Sequence, residues 1–255
     1  MKNIAVITGA SSGMGKQFVL TLKDHGIYDE VWAIARNTQR LEELRELIPF
    51  NLRTFSLDLT NEDSFAVYEN ALEEEKPNIS LLINASGFGI FDSVENSSME
   101  DTLGMIDLNC KALVRMTKLS LPYMSNGSKI IQIASMAAFQ PIPYIDVYGA
   151  SKAFVLSFSR ALNREVEKKG VKCMAVCPYW TRTAFFDRAI DPDKQIVKKY
   201  VVMYEPEDIV DRAWKDLKKG KDVSIYGAIA KGQAALCKLL PHGLVMDIWQ
   251  RQQKL

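Results

Sequence analysis

The chain is poor in the residues that mark metal centres and covalent staples. It has two histidines and four cysteines in 255 residues. The cysteines, Cys110, Cys173, Cys177 and Cys237, form no C-x-x-C pair, and no His-rich cluster accompanies them, so a zinc or other metal site is not expected. Reduced thiols in a cytoplasmic protein are the simplest reading. No apolar run approaches the ~20 residues of a membrane span, and the run after Met1 is too short for a signal-peptide core. Charge of one sign is also missing: 32 basic against 31 acidic residues leave a formal net charge of +1, which supplies no global field for nucleic acid or an anionic membrane. A small molecule is then the default partner. There is no repeat at solenoid spacing, no low-complexity tract and no linker, so residues 1–255 read as a single domain.

What is present is an alternation. Short apolar runs at 4–7, 31–35, 52–57, 81–84, 129–134 and 172–177 read as strands, several of them β-branched and apolar nearly throughout. Such runs fit a parallel sheet covered on both faces. Helix-length amphipathic stretches lie between them, one closed by Gly26 and another by Pro49. The expected fold is α/β, a doubly wound parallel sheet of the Rossmann type with helices on both faces. A seventh strand at 223–227 closes the sheet. Residues 228–255 are apolar with scattered cations and read as a closing pair of helices on the sheet or a second subunit. Their sparse Lys and Arg weigh against membrane binding, although weak surface association stays open.

Directly after the first strand, "TGASSGMG" places Gly9, Gly13 and Gly15 where a strand turns into a helix. Glycine there lets the backbone approach a pyrophosphate at the helix N-terminus, although a plain tight turn would also use it. The second strand ends in Arg36 with no carboxylate, and an arginine at that place accommodates a 2′-phosphate, so NADP(H) is favoured over NAD(H). Asn84 ends the fourth strand, Asn109 lies in a helical stretch and Ser135 ends the fifth strand. Thirteen residues further, Tyr148 and Lys152 stand one helical turn apart.

Taken together, "TGASSGMG" at 8–15, "DLT" at 58–60, "NASG" at 84–87, Asn109, Ser135, "YGASK" at 148–152 and "CPYWTRT" at 177–183 resemble the short-chain dehydrogenase/reductase family in order and spacing. The resemblance implies a catalytic set of Tyr148, Lys152, Ser135 and Asn109. Asn109 would hold a water that passes protons to Lys152, which would also bind ribose. It further implies a cofactor grip by Gly9, Ser11, Ser12, Gly13, Met14 and Gly15, with Asp58 near the adenine, Leu59 beside it in the cofactor set and Asn84 beside the ribose. Pro178, Thr181 and Thr183 would lie along the nicotinamide. Two departures from the family pattern, Ala85 and Tyr179, touch the loop under the cofactor and the substrate side.

Tyrosine has a free pKa of about 10, so a nearby ammonium and the oxidised nicotinamide would draw Tyr148 toward phenolate and make it a usable acid-base group. Ser135 would orient the carbonyl oxygen. Phe88, Phe91, Met136, Phe139, Ile142, Tyr144, Tyr179, Trp180, Phe185 and Phe186 lie around the expected crevice and suit a bulky apolar ketone or alcohol, or serve simply as core. A hydroxysteroid or related compound is the leading example, with fatty acyl derivatives and small cyclic ketones also open. Residues 179–200 are expected to form a lid. The expected protein is an NADP(H)-dependent ketone/alcohol oxidoreductase acting as a homodimer or homotetramer. Its rivals are a 3-oxoacyl reductase and a cofactor-binding sensor without turnover.

Overall fold

The computed structural model describes residues 1–191, 193–194 and 196–255. Pro192 and Gln195, within the expected lid, lie outside the described residues. Seven strands form one parallel sheet: β1 (Asn3–Thr8), β2 (Glu30–Ala35), β3 (Asn51–Ser56), β4 (Asn78–Asn84), β5 (Lys129–Ile133), β6 (Lys172–Val176) and β7 (Val223–Ser224), in the order β3-β2-β1-β4-β5-β6-β7. β1 is the pivot, with Ile7 opposite Ala33 on one side and opposite Ile83 on the other. The chain runs outward from β1 in both directions, and the crevice at such a reversal, beyond the carboxyl ends of β1 and β4, is where ligands of doubly wound sheets bind.

Alternation along β1 explains why both faces are covered. Ala5 and Ile7 belong to a core layer with Phe18, Leu41 and Trp214, while Ile4 and Val6 join Trp32, Tyr68, Leu82 and Met116 on the opposite face. All four β1 residues are fully buried, so the strand reads as a continuous apolar run although its side chains point two ways. The helices that supply these layers are α1 (Gly13–Thr21), α2 (Thr38–Glu42), α3 (Glu62–Glu75), α4 (Met99–Ile106), α5 (Leu113–Ser120), α6 (Asp146–Glu165), α7 (Phe185–Ala189), α8 (Pro206–Lys218), α9 (Ala228–Leu239) and α10 (His242–Gln253).

Four elements differ from the sequence expectation. The amphipathic stretches after β1 and β2 change from α to 3-10 geometry before they end, at Leu22–Asp24 and Glu43–Glu46. β7 pairs with β6 at two positions and then leaves the sheet, with Gly227 at φ +88° turning the chain into α9. Among the described residues, the stretch between β6 and α8 contains one short helix, α7, and is otherwise irregular. The closing helices α9 and α10 stand where the apolar tail was expected.

Candidate active site

Beyond the carboxyl ends of β1, β4 and β5 lies a cavity of about 930 Å³. One end is built by the β1–α1 loop. Gly9 adopts φ +67°, and a Cβ there would stand 2.8 Å from the Ala85 backbone; a Cβ on Gly15 would stand 2.2 Å from the Gly9 carbonyl oxygen. The three backbones are thus in contact distances that any side chain would break. Ser12 caps α1 in extended conformation without using its side chain, and the first turn has no acidic residue. The helix N-terminus therefore keeps its partial positive charge for an anion, as a pyrophosphate site requires.

Gly9, Ser11, Ser12, Gly13, Met14, Gly15, Arg36, Asp58 and Leu59 all line the cavity. Arg36 is largely exposed, with Nη1 3.9 Å from Asp58 Oδ2. Burial raises the Asp58 pKa, but the Thr60 N–H at 2.9 Å, the Thr60 hydroxyl at 2.7 Å and the Arg36 charge outweigh it and hold the carboxyl below its usual value. Arg40 and Asn37 line the same end, with Asn37 capping α2 through the Arg40 N–H at 2.9 Å. Sequence reasoning passed over Arg40. Arg36 lies before α2 and Arg40 within it, so no helical spacing relates the two, and only the fold brings both to the same end of the cavity. Two guanidinium groups and no carboxylate beyond Asp58 suit a phosphate on the ribose.

Asn84 was expected beside the ribose. It does not line the cavity; its side chain turns into the protein, where Nδ2 donates to Thr117 Oγ1 at 3.1 Å and to Gln132 Oε1 at 3.0 Å. Strand alternation accounts for this, since Ala85, the next residue, takes the cavity side together with Ser86 and Gly87. The Ala85 departure leaves the loop anchored, because the Ala85 and Ser86 N–H groups both donate to Thr8 Oγ1 at 3.1 Å.

Asn109 is buried outside the cavity lining in a π-helical turn, Asp107–Ala112, between α4 and α5. Its Oδ1 accepts the Phe88 N–H at 3.0 Å, and its Nδ2 donates to Phe88 O at 2.9 Å and Ser151 Oγ at 3.0 Å. Both amide donors are occupied, so the side chain secures the β4 loop and has no donor left for a water. A Cβ on Gly87 would lie 2.8 Å from Asn109 Oδ1 and 3.4 Å from Lys152 Nζ, which shows the two groups converging on one backbone position.

Ser135, Tyr148 and Lys152 meet at the cavity floor. Ser135 starts a short 3-10 turn, Met136–Phe139, and its Oγ accepts the Ala137 N–H at 3.1 Å. Lys152, 5% exposed, donates from Nζ to Ile133 O at 2.8 Å and lies 5.7 Å from the Tyr148 ring centre. Burial lowers its pKa from 10.5 to about 8, against weak opposition from the Cys110 and Cys177 thiols. Tyr148 moves the other way: burial pushes it up to about 12, although a hydrogen bond with Ser135 pulls down. The Lys152 hydrogen bond goes to a backbone carbonyl, and for the Tyr148 phenol desolvation outweighs the bond with Ser135.

Past Tyr148 the wall is aromatic. Phe91 and Phe185 stand 6.1 and 5.4 Å from the Tyr148 ring, and Trp180 lies edge-on to Tyr200 at 5.2 Å and roughly parallel to Trp249 at 6.4 Å. Phe88, Met136, Ile142, Tyr179 and Phe186 also line the cavity, with Pro178, Thr181 and Thr183 on the β6 loop. Phe139 and Tyr144 do not; Phe139 packs beneath α9 near Lys238. The outer wall was missed from sequence: Gln233, Leu236 and Cys237 of α9 and Val245, Ile248 and Trp249 of α10 complete it. The Gln253 side chain ties the irregular stretch after α7 to α10, accepting from the Lys198 and Lys199 N–H groups at 2.8 and 2.9 Å and donating to Lys199 O at 3.0 Å.

Comparison with known proteins follows the same lines. A family model described as short chain dehydrogenase matches residues 3–194. An NADP-dependent 3-hydroxy acid dehydrogenase of Escherichia coli strain K12 is 33% identical over 218 residues, 83% of this chain and 87% of the relative. A 17-beta-hydroxysteroid dehydrogenase type 3 of Mus musculus is 35% identical over 184 residues, 69% of this chain and 59% of the relative. A short-chain dehydrogenase from Sphingobium yanoikuyae solved in complex with NADPH superposes with a TM-score of 0.78 at 28% identity, covering 97% of this chain and 96% of that one.

Proposed function

The chain belongs to the short chain dehydrogenase family, and from that premise we propose that it uses NADP(H) to interconvert a secondary alcohol and a ketone on a bulky apolar molecule. The observation that carries this reading is the single cavity that joins a glycine loop with two arginines to an aromatic chamber, with Ser135, Tyr148 and Lys152 at the junction. The loop backbone of Gly9 to Gly15 would hold the pyrophosphate, and Arg36 and Arg40 a 2′-phosphate. The similarity to an NADPH complex and to an NADP-dependent dehydrogenase supports that choice. When bound, the nicotinamide cofactor supplies the hydride for reduction and accepts it in oxidation.

The chain's own groups handle the proton. With a pKa of about 12, Tyr148 is a phenol at neutral pH, so Oη carries the proton that a ketone oxygen needs as negative charge develops on it. The Ser135 hydroxyl, in contact with Tyr148, offers the second hydrogen bond to that oxygen and fixes its position. Lys152 is charged below its pKa of about 8, and an ammonium close behind the phenol favours the phenolate left after transfer. Asn109, through Phe88 and Ser151, positions the backbone that Lys152 faces. The aromatic wall excludes water and matches an apolar substrate in shape and chemistry. The hydroxysteroid dehydrogenase relative favours a rigid polycyclic ketone within that class.

A panel of hydroxysteroids, bulky aryl ketones, small cyclic ketones and 3-hydroxy acids, each with NADPH or NADP+, tests the reading. Turnover should be greatest on the large apolar ketones. Preference for 3-hydroxy acids would move the substrate class toward that of the bacterial relative. Cofactor binding without turnover across the panel would mean a sensor.

A further inference from the structure

The last two helices carry more exposed apolar surface than a closing element needs. Ile229, Leu236 and Leu239 on α9 and Leu244, Ile248 and Leu255 on and after α10 are all exposed, Leu239 to 81%. On α9 the spacings of seven and three put Ile229, Leu236 and Leu239 on the outward side, opposite the buried Ala230, Ala234 and Cys237. On α10 Leu244 and Ile248 are one turn apart, opposite the buried Val245, Trp249 and Gln253. Leu236 and Ile248 belong to both surfaces: they are exposed and they line the cavity. The apolar patch is therefore the rim of the substrate cavity.

Its charge is one-sided. Residues 228–255 contain Lys231, Lys238, Arg251 and Lys254 against one acidic side chain, Asp247, in a protein whose overall charge nearly cancels. Apolar residues facing outward with cations on the flanks are the composition of a helix that lies in the surface of an anionic bilayer. No helix among the described residues is long and apolar enough to cross a membrane. We propose that α9 and α10 dock the protein on an anionic lipid surface, with the cavity mouth toward the acyl chains, so that an apolar ketone dissolved in the bilayer enters without crossing water. This rests on the reading of the cavity as a site for apolar substrate. The sequence alone argued the other way because its cations are sparse; the fold adds a solvent-facing apolar stripe at the mouth of a cavity, in a segment whose charge is mostly basic.

The test uses the full chain and co-sedimentation with vesicles of phosphatidylglycerol and phosphatidylcholine, compared with phosphatidylcholine alone. The wild type should sediment with the anionic vesicles, and high salt should weaken binding. Leu239→Glu with Leu244→Glu, two residues outside the cavity lining, should reduce that binding roughly tenfold or more, given that affinity scales with buried apolar area, and leave turnover of a water-soluble ketone unchanged. On a ketone carried in the vesicles the variant should show a raised KM with kcat unaltered. No binding to anionic vesicles, or binding unchanged by the double substitution, would overturn the proposal. So would a wild-type dimer that the double variant converts to monomer in light scattering, since a second copy would then cover the patch. If vesicle binding holds while no apolar ketone is turned over, the docking surface stands and the substrate reading fails.

Discussion

Lys152 lets function and stability be measured against each other. Its ammonium is almost fully buried, its hydrogen bond goes to the neutral Ile133 carbonyl, and the titratable groups that bear on it are two thiols. Burial lowers its pKa from 10.5 to about 8. At ~1.4 kcal/mol for each tenfold change in proton affinity, keeping it charged at pH 7 costs the fold about 3 kcal/mol. Lys152→Met keeps an unbranched chain and removes that cost; it also removes the bond to Ile133 O, worth about 1 kcal/mol. The variant should be more stable by roughly 2 kcal/mol at pH 7, a rise in Tm on the order of 4–8 °C for a chain of this size, with turnover lost. The pH dependence gives the control. Between pH 8 and 10.5 the unfolded lysine binds more protons than the folded one, so wild-type stability gains from this group as pH rises, and most of the difference from the Met variant should vanish by pH 10. Urea unfolding at pH 7 and pH 10 measures both. A Met variant less stable than wild type at pH 7, or a gap of equal size at both pH values, would refute the assignment of a buried, uncompensated charge.

Other expectations concern the remaining groups. Tyr148→Phe should remove turnover by several orders of magnitude and leave NADPH binding, followed by fluorescence, within about twofold; reduction at the wild-type rate would exclude Tyr148 as the proton donor. Reductive kcat/KM should be level below pH 8 and fall above it as Lys152 loses its charge, while Tyr148 stays protonated across that range. Arg36→Ala with Arg40→Ala should cost NADPH roughly 10-fold to 100-fold in Kd and leave NADH nearly unaffected, by titration calorimetry, since a charged hydrogen bond contributes ~1.5–3 kcal/mol. Gly9→Ala meets both a φ of +67° and the Ala85 backbone at 2.8 Å; loss of NADPH binding together with a fall in Tm is expected.

Much of this protein could be read directly from its residues because the signals were local. Apolar runs with the right spacing marked the six long strands, the glycines at 9, 13 and 15 sat between a strand and a helix, and Tyr148 and Lys152 shared a helix face by spacing alone. The parallel sheet of about seven strands follows from that alternation and the handedness of crossovers, while the strand order β3-β2-β1-β4-β5-β6-β7 came from the fold. Tertiary structure decided the rest. Asn84 stands in the right place in the chain, yet strand alternation gives the cavity to Ala85. The Tyr148 pKa depends on burial by Phe91, Phe185 and their neighbours, which no local window contains. Arg40 joins Arg36 only when α2 folds against the cofactor end. The outer wall of the substrate cavity comes from helices more than eighty residues beyond Tyr148. Local pattern sets which backbone forms; which side chain faces the cavity, and how dry it is there, depends on residues distant in sequence that only the folded chain brings together.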